Sequence, residues 1–286
     1  MNEVIHDLYG AEDQEAMYRH AISRPLAEKV QQAIMLTQTY EGQALQLSPD
    51  GYYVCFSGGK DSIVMAKLFE MAGVKYTLNY SNVTVDPPEL VQFIKREYPQ
   101  AIWHSKGVHL CSEVVNHAPG LPTRNGRWCC EIYKEQGDNG LFKSVGVRAE
   151  ESKRRKGLWS PVKSTKGGAI LAPILYWTTE DVWQFIRDRG LKYPALYDEG
   201  FDRLGCVGCP LGGKKRHKEF ARWPKYEALW KRGGRKWWEK YRDKLKPDGT
   251  FYFAHKFPTF EAYWSWWMEE KNVNDTDAPD CQMWLW

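Results

Sequence analysis

Residues 54–62 of the chain read VCFSGGKDS, and this stretch decides the fold. The apolar run 51–56 is typical of a buried β-strand, two glycines end it, and residues 63–69 have the apolar spacing of a helix packed on a sheet. Glycine lets the backbone approach an anion closely, and the free N–H groups of a helix N-terminus attract negative charge. The pattern therefore predicts a strand, a tight loop and a helix, with the loop forming a phosphate cradle.

The side chains of this loop suit a nucleotide's phosphates. Hydroxyl groups can donate to phosphate oxygens, a lysine can neutralise their charge, and an aspartate can cap the helix or help to hold Mg²⁺. The spacing excludes both the P-loop and the Gly-x-Gly-x-x-Gly dinucleotide loop. The predicted phosphate-binding residues are Ser57, Gly58, Gly59, Lys60, Asp61 and Ser62.

The run Ser-Gly-Gly-Lys-Asp-Ser resembles the pyrophosphate-binding loop of the ATP pyrophosphatase (PP-loop) superfamily. The resemblance implies an enzyme that binds ATP with Mg²⁺ and cleaves it to AMP and pyrophosphate, often adenylating a substrate. It also implies an α/β fold, a parallel sheet flanked by helices, of the adenine nucleotide alpha hydrolase type. An ordinary glycine turn is the alternative to this interpretation.

Hydrophobic periodicity outlines the rest of the chain. It predicts helices over 11–41, divided at Pro25, and over 89–96, and further strands over 74–80, 101–104, 143–148 and 169–175. Thr178 or Thr179 is expected to cap a helix that ends near Gly190. The predicted domains are a helical extension (1–48), the nucleotide-binding α/β domain (49–213) and a basic, Trp-rich helical region (214–286).

Two further segments are similar to the phosphoadenosine phosphosulfate (PAPS) reductase branch of the superfamily. Asp86, Pro88 and Glu89 match its Asp-Thr-Gly...Pro-Glu segment, with the Thr-Gly replaced, and a plain βα turn is the alternative. The run 146–155 reads GVRAEESKRR and resembles the family's substrate-binding segment, in which arginines hold phosphate or sulfate. The resemblance implies cofactor or substrate binding by Asp86, Glu89, Arg148, Arg154 and Arg155, and catalysis by Lys60, Asp61 and Arg148.

Four of the seven cysteines form two pairs, which are Cys129-Cys130 and Cys206-x-x-Cys209. Four thiolates are enough for one metal site if the fold brings the two pairs together, and zinc or a redox dithiol are possible uses. The adjacent pair with a distant Cys-x-x-Cys resembles the ligands of the [4Fe-4S] cluster of adenylyl-sulfate reductases. Cys55 is expected to be structural, and the role of Cys281 is open.

Two departures from the reductases change the functional expectation. Their Glu-Cys-Gly-Leu-His-like end is absent here, where residues 280–284 read DCQMW, and their phosphate loop is degenerate whereas this one is intact. An intact loop beside four cysteines resembles instead the ATP-hydrolysing iron–sulfur subunit of DNA phosphorothioation systems. The resemblance implies ATP-dependent activation of an acceptor for sulfur transfer, with a cysteine desulfurase as sulfur donor. The alternative is a sulfonucleotide reductase that uses thioredoxin.

The region 214–246 holds 14 lysines and arginines against four acidic residues, with aromatic residues interleaved. Basic residues that follow a phosphate backbone, with rings on which bases stack, are typical of single-strand nucleic-acid binders. The aromatic residues also recur at helical intervals, which is more often a core pattern. Nucleic acid is therefore a candidate partner, and a non-catalytic nucleic-acid-binding module is a third hypothesis.

Composition limits the kinds of partner and the cellular location that we expect. The chain of 286 residues can bury a large core, and its formal charge of +4 favours no partner class by itself. The N-terminal residues lack a signal-peptide pattern, and no stretch reaches membrane-spanning length. We therefore expect a cytoplasmic protein with no membrane partner.

Overall fold

The computed structural model describes residues 11–117, 120–134, 140–151, 160–165 and 167–269. The strands are β1 Tyr52–Cys55, β2 Tyr76–Asn82, β3 Ile102–Ser105, β4 Phe142–Ser144, β5 Val162–Thr165 and β6 Gly168–Leu171. The α-helices are α1 Ala11–Ser23, α2 Leu26–Thr39, α3 Glu41–Leu47, α4 Lys60–Ala72, α5 Pro88–Glu97, α6 Leu110–Glu113, α7 Trp128–Tyr133, α8 Thr179–Asp188, α9 Lys215–Arg222, α10 Pro224–Tyr241 and α11 Phe260–Glu269.

The strands form one six-stranded sheet in the order β3-β2-β1-β4-β6-β5. Strand β1 pairs in parallel with β2 on one side and β4 on the other, β4 pairs in parallel with β6, and β5 runs antiparallel to β6. The predicted fold class, a mostly parallel sheet flanked by helices with helical additions at both ends, is confirmed. Because the strand order reverses at β1, the loop that follows β1 lies at a topological switch point, where α/β sheets bind ligands.

The β1–α4 unit folds as the apolar pattern predicts. Tyr52 and Val54 of β1 have no exposed surface, and Tyr52 meets Phe69 of α4 edge to face with 5.1 Å between ring centroids. Helix α4 ends at Gly73, whose φ of 67° is the left-handed conformation that glycine tolerates best. Burial of the Tyr52 and Val54 face thus fixes the strand that carries the phosphate loop.

The N-terminal helices pack on the sheet, and Pro25 separates α1 from α2 as expected. The Tyr52 hydroxyl donates to the Thr37 carbonyl at 2.7 Å, and Lys29 of α2 forms a nearly buried ion pair with Asp181 of α8. The apolar stripe of α2 therefore faces the core.

Strands β4 and β6 are shorter than the sequence predicts. Apolar residues continue to Val147 and Leu175, but pairing stops at Ser144 and Leu171. The backbone beyond β4 approaches α4, where a Cβ on Gly146 would lie 3.3 Å from Asp61 Cβ. The apolar residues after β4 and β6 are buried without being paired in strands. The antiparallel strand β5 was not predicted from the sequence.

The chain forms two compact units, each assembled from separated stretches. The first takes in the chain up to Tyr80 together with 89–103 and 137–203, and the second takes in 81–88, 104–136 and the chain from Leu204 onward. The domain limits predicted from the sequence stay a prediction. Among the described residues, none of the helices is long and apolar enough to cross a membrane.

The aromatic residues of 214–246, apart from the half-buried Tyr226, belong to the core of the second unit. Trp230 and Trp237 of α10 are at most 2% exposed, and Trp237 packs on Tyr263 of α11 with 5.1 Å between ring centroids. The Trp230 indole donates to the Val207 carbonyl at 3.0 Å. The interpretation of these rings as a base-stacking platform is therefore wrong, because the helical period of the stripe turns them inward.

Helix α8 begins with a complete capping box. The Thr178 hydroxyl accepts from the Asp181 N–H at 3.0 Å, and the Asp181 carboxylate accepts from the Thr178 N–H at 2.6 Å. We expect Thr178→Ala to lower the free energy of unfolding by about 1 kcal/mol, because one helix N–H loses its acceptor. Urea unfolding measures this, and Thr178→Ser, which keeps the hydroxyl, is the control. Equal losses in both variants would contradict the capping role.

Candidate functional site

The phosphate loop is held by a glycine that no other residue can replace without strain. Gly58 has a φ of 71°, and a Cβ placed on it would lie 2.5 Å from Ile94 Cγ1 and 3.0 Å from Leu90 Cδ1 of α5. Both the left-handed backbone and the close packing therefore demand glycine. The loop is pressed against α5 and turns sharply into α4.

The serine hydroxyls bind the loop to itself. Ser62 Oγ donates to the Gly59 carbonyl at 2.9 Å and accepts from the Ser57 N–H at 3.3 Å, and Ser57 Oγ accepts from the Gly59 N–H at 3.4 Å. In this arrangement hydroxyl oxygens occupy N–H donors that a phosphate cradle would present to an anion. The structure thus brings Ser57, Gly59 and Ser62 together, and their role in phosphate binding stays a prediction.

A tyrosine hydroxyl stands at the N-terminus of α4. The Lys60 N–H donates to Tyr197 Oη at 2.9 Å, and Lys60 Nζ lies 5.7 Å from the centroid of the Tyr197 ring. Burial raises the pKa of Tyr197, so its hydroxyl stays protonated and can still donate a proton to a further acceptor. Tyr197 therefore marks the place where an anion would meet this helix end.

Asp61 lies between two cations. Its Oδ2 is 3.1 Å from Lys60 Nζ and its Oδ1 accepts from Arg148 Nε at 2.7 Å, while Lys60 Nζ also donates to the Asp202 carbonyl at 3.4 Å. Lys60 is 5% exposed, and the Asp61 side chain is 20% exposed. The structure thus joins the three predicted catalytic residues, Lys60, Asp61 and Arg148, in one chain of ion pairs.

Arg148 is buried, and its Nε and Nη1 donate to side chains of its own unit. Its Nη1 donates to Glu150 Oε2 at 2.7 Å and to Thr179 Oγ1 at 3.1 Å. Glu150 Oε2 also accepts from the Thr179 N–H at 2.7 Å, which places a carboxylate at the start of α8. Arg148 therefore positions Asp61 and Glu150 and is only 3% exposed itself.

The remaining predicted nucleotide-binding residues fall in different units or outside the described residues. Glu89 lies half-buried in the first turn of α5, in the first unit. Asp86 belongs to the second unit, where its side chain is buried and its carbonyl accepts from the Tyr226 hydroxyl at 2.8 Å. Arg154 and Arg155 lie outside the described residues.

All four cysteines of the two predicted pairs fall in the second unit. Cys129 and Cys130 occupy the first turn of α7, where Cys130 packs with Cys129 and Leu211 and receives a hydrogen bond from Arg127 Nη1 at 3.9 Å. Burial raises the pKa of Cys206, and the negative charges of Asp86, Cys209 and Cys130 add to the shift.

The cysteine loop is anchored by backbone groups. The Val207 N–H donates to the Val85 carbonyl at 2.8 Å, and the Gly208 N–H donates to Glu219 Oε2 at 2.8 Å. Within the described residues, no group of three or more His, Cys, Asp or Glu side chains is arranged to hold a metal ion. Thiolates are the ligands that soft metals prefer, and thiols of both pairs act on the pKa of Cys206, so the chemistry of these donors is compatible with such a metal.

Sequence reasoning missed three residues of the first unit's site, which are Tyr197, Glu150 and Thr179. Glu150 belongs to the Arg-x-Glu-Glu run already singled out, so its place beside Arg148 was within reach. Tyr197 is 137 residues from its partner Lys60, and no local pattern points to the contact.

The family model for the phosphoadenosine phosphosulfate reductase domain matches residues 51–211. The match takes in more than half of the 286 residues and includes the phosphate loop, Arg148 and the four paired cysteines. The chain belongs to the phosphoadenosine phosphosulfate reductase domain family. The resemblance drawn from the sequence motifs is confirmed at this level.

Individual relatives are more distant. An uncharacterized protein of Methanocaldococcus jannaschii, MJ0066, is 30% identical over 196 residues, which cover 62% of this chain and 40% of that protein. An adenosine 5'-phosphosulfate reductase of Staphylococcus epidermidis is 27% identical over 183 residues, covering 60% of this chain and 72% of that protein. The PAPS reductase of Candida auris in a phosphate complex shares 16% identity at a TM-score of 0.45, covering 69% of this chain and 96% of that chain.

The aligned part of this chain thus spans well under two thirds of the archaeal relative, at 40% of its length. What these relatives bind or catalyse is consequently no direct statement about this chain.

Arg148→Met should lower the free energy of unfolding by about 3 kcal/mol, because it leaves the carboxylates of Asp61 and Glu150 without their shared cation. The control is Arg187→Met, whose ion pair with Glu180 is 60% and 74% exposed on its two sides and is expected to contribute about 0–1 kcal/mol. Urea unfolding at neutral pH compares the two variants. Equal small losses would show that Arg148 does not hold the site together.

Proposed function

We propose that the protein is an ATP-dependent enzyme that forms AMP and pyrophosphate and activates an acceptor, a nucleic acid, for sulfur transfer. The observation that carries the proposal is the intact loop at the start of α4, where the left-handed Gly58, the helix N-terminus and Lys60 converge. A leaving pyrophosphate carries several negative charges, and this loop offers N–H donors, hydroxyls and a buried cation to them.

The chain's own residues act mainly by positioning and by charge. The Lys60 N–H and Nζ bind the leaving pyrophosphate, whose oxygen replaces the Tyr197 hydroxyl as acceptor. The protonated Tyr197 then donates to the same phosphate. Asp61, fixed by Arg148, orients the Lys60 ammonium and would supply an oxygen ligand to Mg²⁺, whose charge offsets that of the phosphates.

The cysteines of the second unit would hold an iron–sulfur cluster. Cys129, Cys130, Cys206 and Cys209 are soft thiolate donors of the kind that [4Fe-4S] clusters require, and zinc is the alternative group. The cluster would supply sulfur or electron transfer, with a cysteine desulfurase as the sulfur source. Membership of a DNA phosphorothioation system is the specific form of this proposal.

A sulfonucleotide reductase is the second candidate function. It is favoured by the family match and by the relatives named adenosine 5'-phosphosulfate reductases, with thioredoxin as the reductant. Against it stands the loop itself, because a sulfonucleotide has a single 5′ phosphate linked to sulfate and leaves part of a pyrophosphate cradle unfilled.

One assay separates the two functions. The reconstituted protein is offered labelled ATP, PAPS and adenylyl sulfate with candidate acceptors, and the products are resolved. We expect AMP and pyrophosphate from ATP in the presence of Mg²⁺. Lys60→Ala should lose about 2–4 kcal/mol of transition-state stabilisation, the scale for one preorganised charge at developing negative charge.

Lys67→Ala is the control, since Lys67 belongs to the same helix and pairs with Glu70 on the surface. It should retain full activity. Reduction of either sulfonucleotide to sulfite, with ATP untouched and Lys60→Ala harmless, would establish the reductase instead. ATP affinity of wild type and Lys60→Ala is measured alongside, so that a missing acceptor is not mistaken for a missing site.

The cluster is tested on anaerobically purified protein, which should be brown and contain about four irons per chain. Cys130→Ser and Cys206→Ser should each lose iron, because each removes a thiolate ligand. Cys55→Ser, which alters a half-buried thiol at the end of β1, should keep it. Colourless protein that contains stoichiometric zinc would contradict the cluster and identify a zinc site.

A further inference from the structure

Helix α10 carries two kinds of exposed cation. Lys225, Arg232 and Lys236 are spaced by seven and four residues, so their side chains share one face of the helix, and all three are exposed. We call these three residues the basic strip. By the rise of an α-helix the strip is about 16 Å long.

Two neighbouring cations of the same helix, Lys231 and Arg235, are paired with carboxylates, whereas the strip residues have no such partner among the described residues. Lys231 pairs with Glu227 at 2.7 Å, and Arg235 pairs with Glu261 at 2.8 Å. Among the described residues, no carboxylate lies within ion-pair distance of a strip residue, although Glu239 lies one turn beyond Lys236. The part of the second unit that the structure describes therefore leaves three positive charges on one helix face without counter-charges of their own.

The surroundings of the strip decide between modes of polyanion binding. The tryptophans of α10 are buried, and the half-buried Tyr226 is held by the Asp86 carbonyl. Base stacking on exposed rings, which single-strand binding uses, is therefore not offered by this helix. Cations in line, without rings, match the phosphate backbone of a duplex, which carries about one charge per 1.7 Å of its axis.

We propose that the basic strip binds the phosphate backbone of duplex nucleic acid without reading its sequence. The inference deepens the proposed function, on which it rests for the idea of a nucleic-acid acceptor, by naming the form of that acceptor and the residues of the second unit that contact it. Each strip cation replaces a counterion on one phosphate, so binding is driven by counterion release and weakens with salt.

The test uses two double variants of the full chain that remove the same charge. Arg232→Gln with Lys236→Gln removes strip cations, and Lys231→Gln with Arg235→Gln removes the paired cations one position earlier. Affinity for a short DNA duplex is measured by fluorescence anisotropy against salt concentration, without ATP. The slope of log affinity against log salt should fall by about 1.8 for the strip variant, from two lost phosphate contacts, and should change far less for the paired variant.

Three results would overturn the proposal. Wild type that binds no duplex at low salt, or two variants that weaken equally, would mean that the strip is not a specific contact. Displacement of the duplex by polyglutamate at equal charge concentration would assign the strip to acidic proteins instead. Duplex binding is measured without ATP, so a negative binding result does not affect the proposal of ATP turnover. Likewise, a lack of ATP turnover does not change the measured duplex binding.

Discussion

The ion pairs around Arg148 are the interaction on which the first unit's site depends. A guanidinium that is 3% exposed must find several acceptors, and it finds Asp61 in α4, Glu150 in the following turn and Thr179 at the start of α8. The chain after β4 is thereby tied to the beginnings of two helices. Asp61 is in turn the partner of Lys60, so the position of the lysine depends on an arginine that is remote in sequence.

Local chemistry explains why much of the fold was predictable from sequence. The strand before Gly58, the positive φ at that glycine and the cap at Thr178 each depend on neighbours a few residues away. Side-chain contacts between distant parts of the chain do not depend on such near neighbours. The sequence placed Arg148 at the end of a predicted strand, but its acceptors depend on how α4 and α8 pack, and no sequence periodicity indicates the contact of Tyr197 with Lys60.

The C-terminal region shows the same limit in its charges and rings. A Trp stripe at helical spacing is more often a core pattern but is also compatible with a stacking surface, and burial of Trp230 and Trp237 decides for the core. Counting lysines and arginines predicted an electropositive region without separating Lys231, which has a carboxylate partner, from Arg232, which has none among the described residues. Pairing is a tertiary property, and it determines which charges remain for a partner.

The N–H groups of the phosphate loop are bonded to hydroxyls of the protein itself, and this affects which anion the loop selects. An anion that enters must replace the Tyr197 hydroxyl at the Lys60 N–H and compete with Asp61 for the ammonium. The desolvation cost of the buried Lys60 ammonium is already offset by Asp61. Both exchanges are therefore favourable only if the incoming group carries more negative charge than a neutral hydroxyl. It must also be able to share the buried cation with a carboxylate. A pyrophosphate meets that condition better than one phosphate ester, because its second phosphate adds acceptors where the serine hydroxyls now bind the loop's own N–H groups. The internal bonds that keep the loop folded thus also favour the more highly charged ligand.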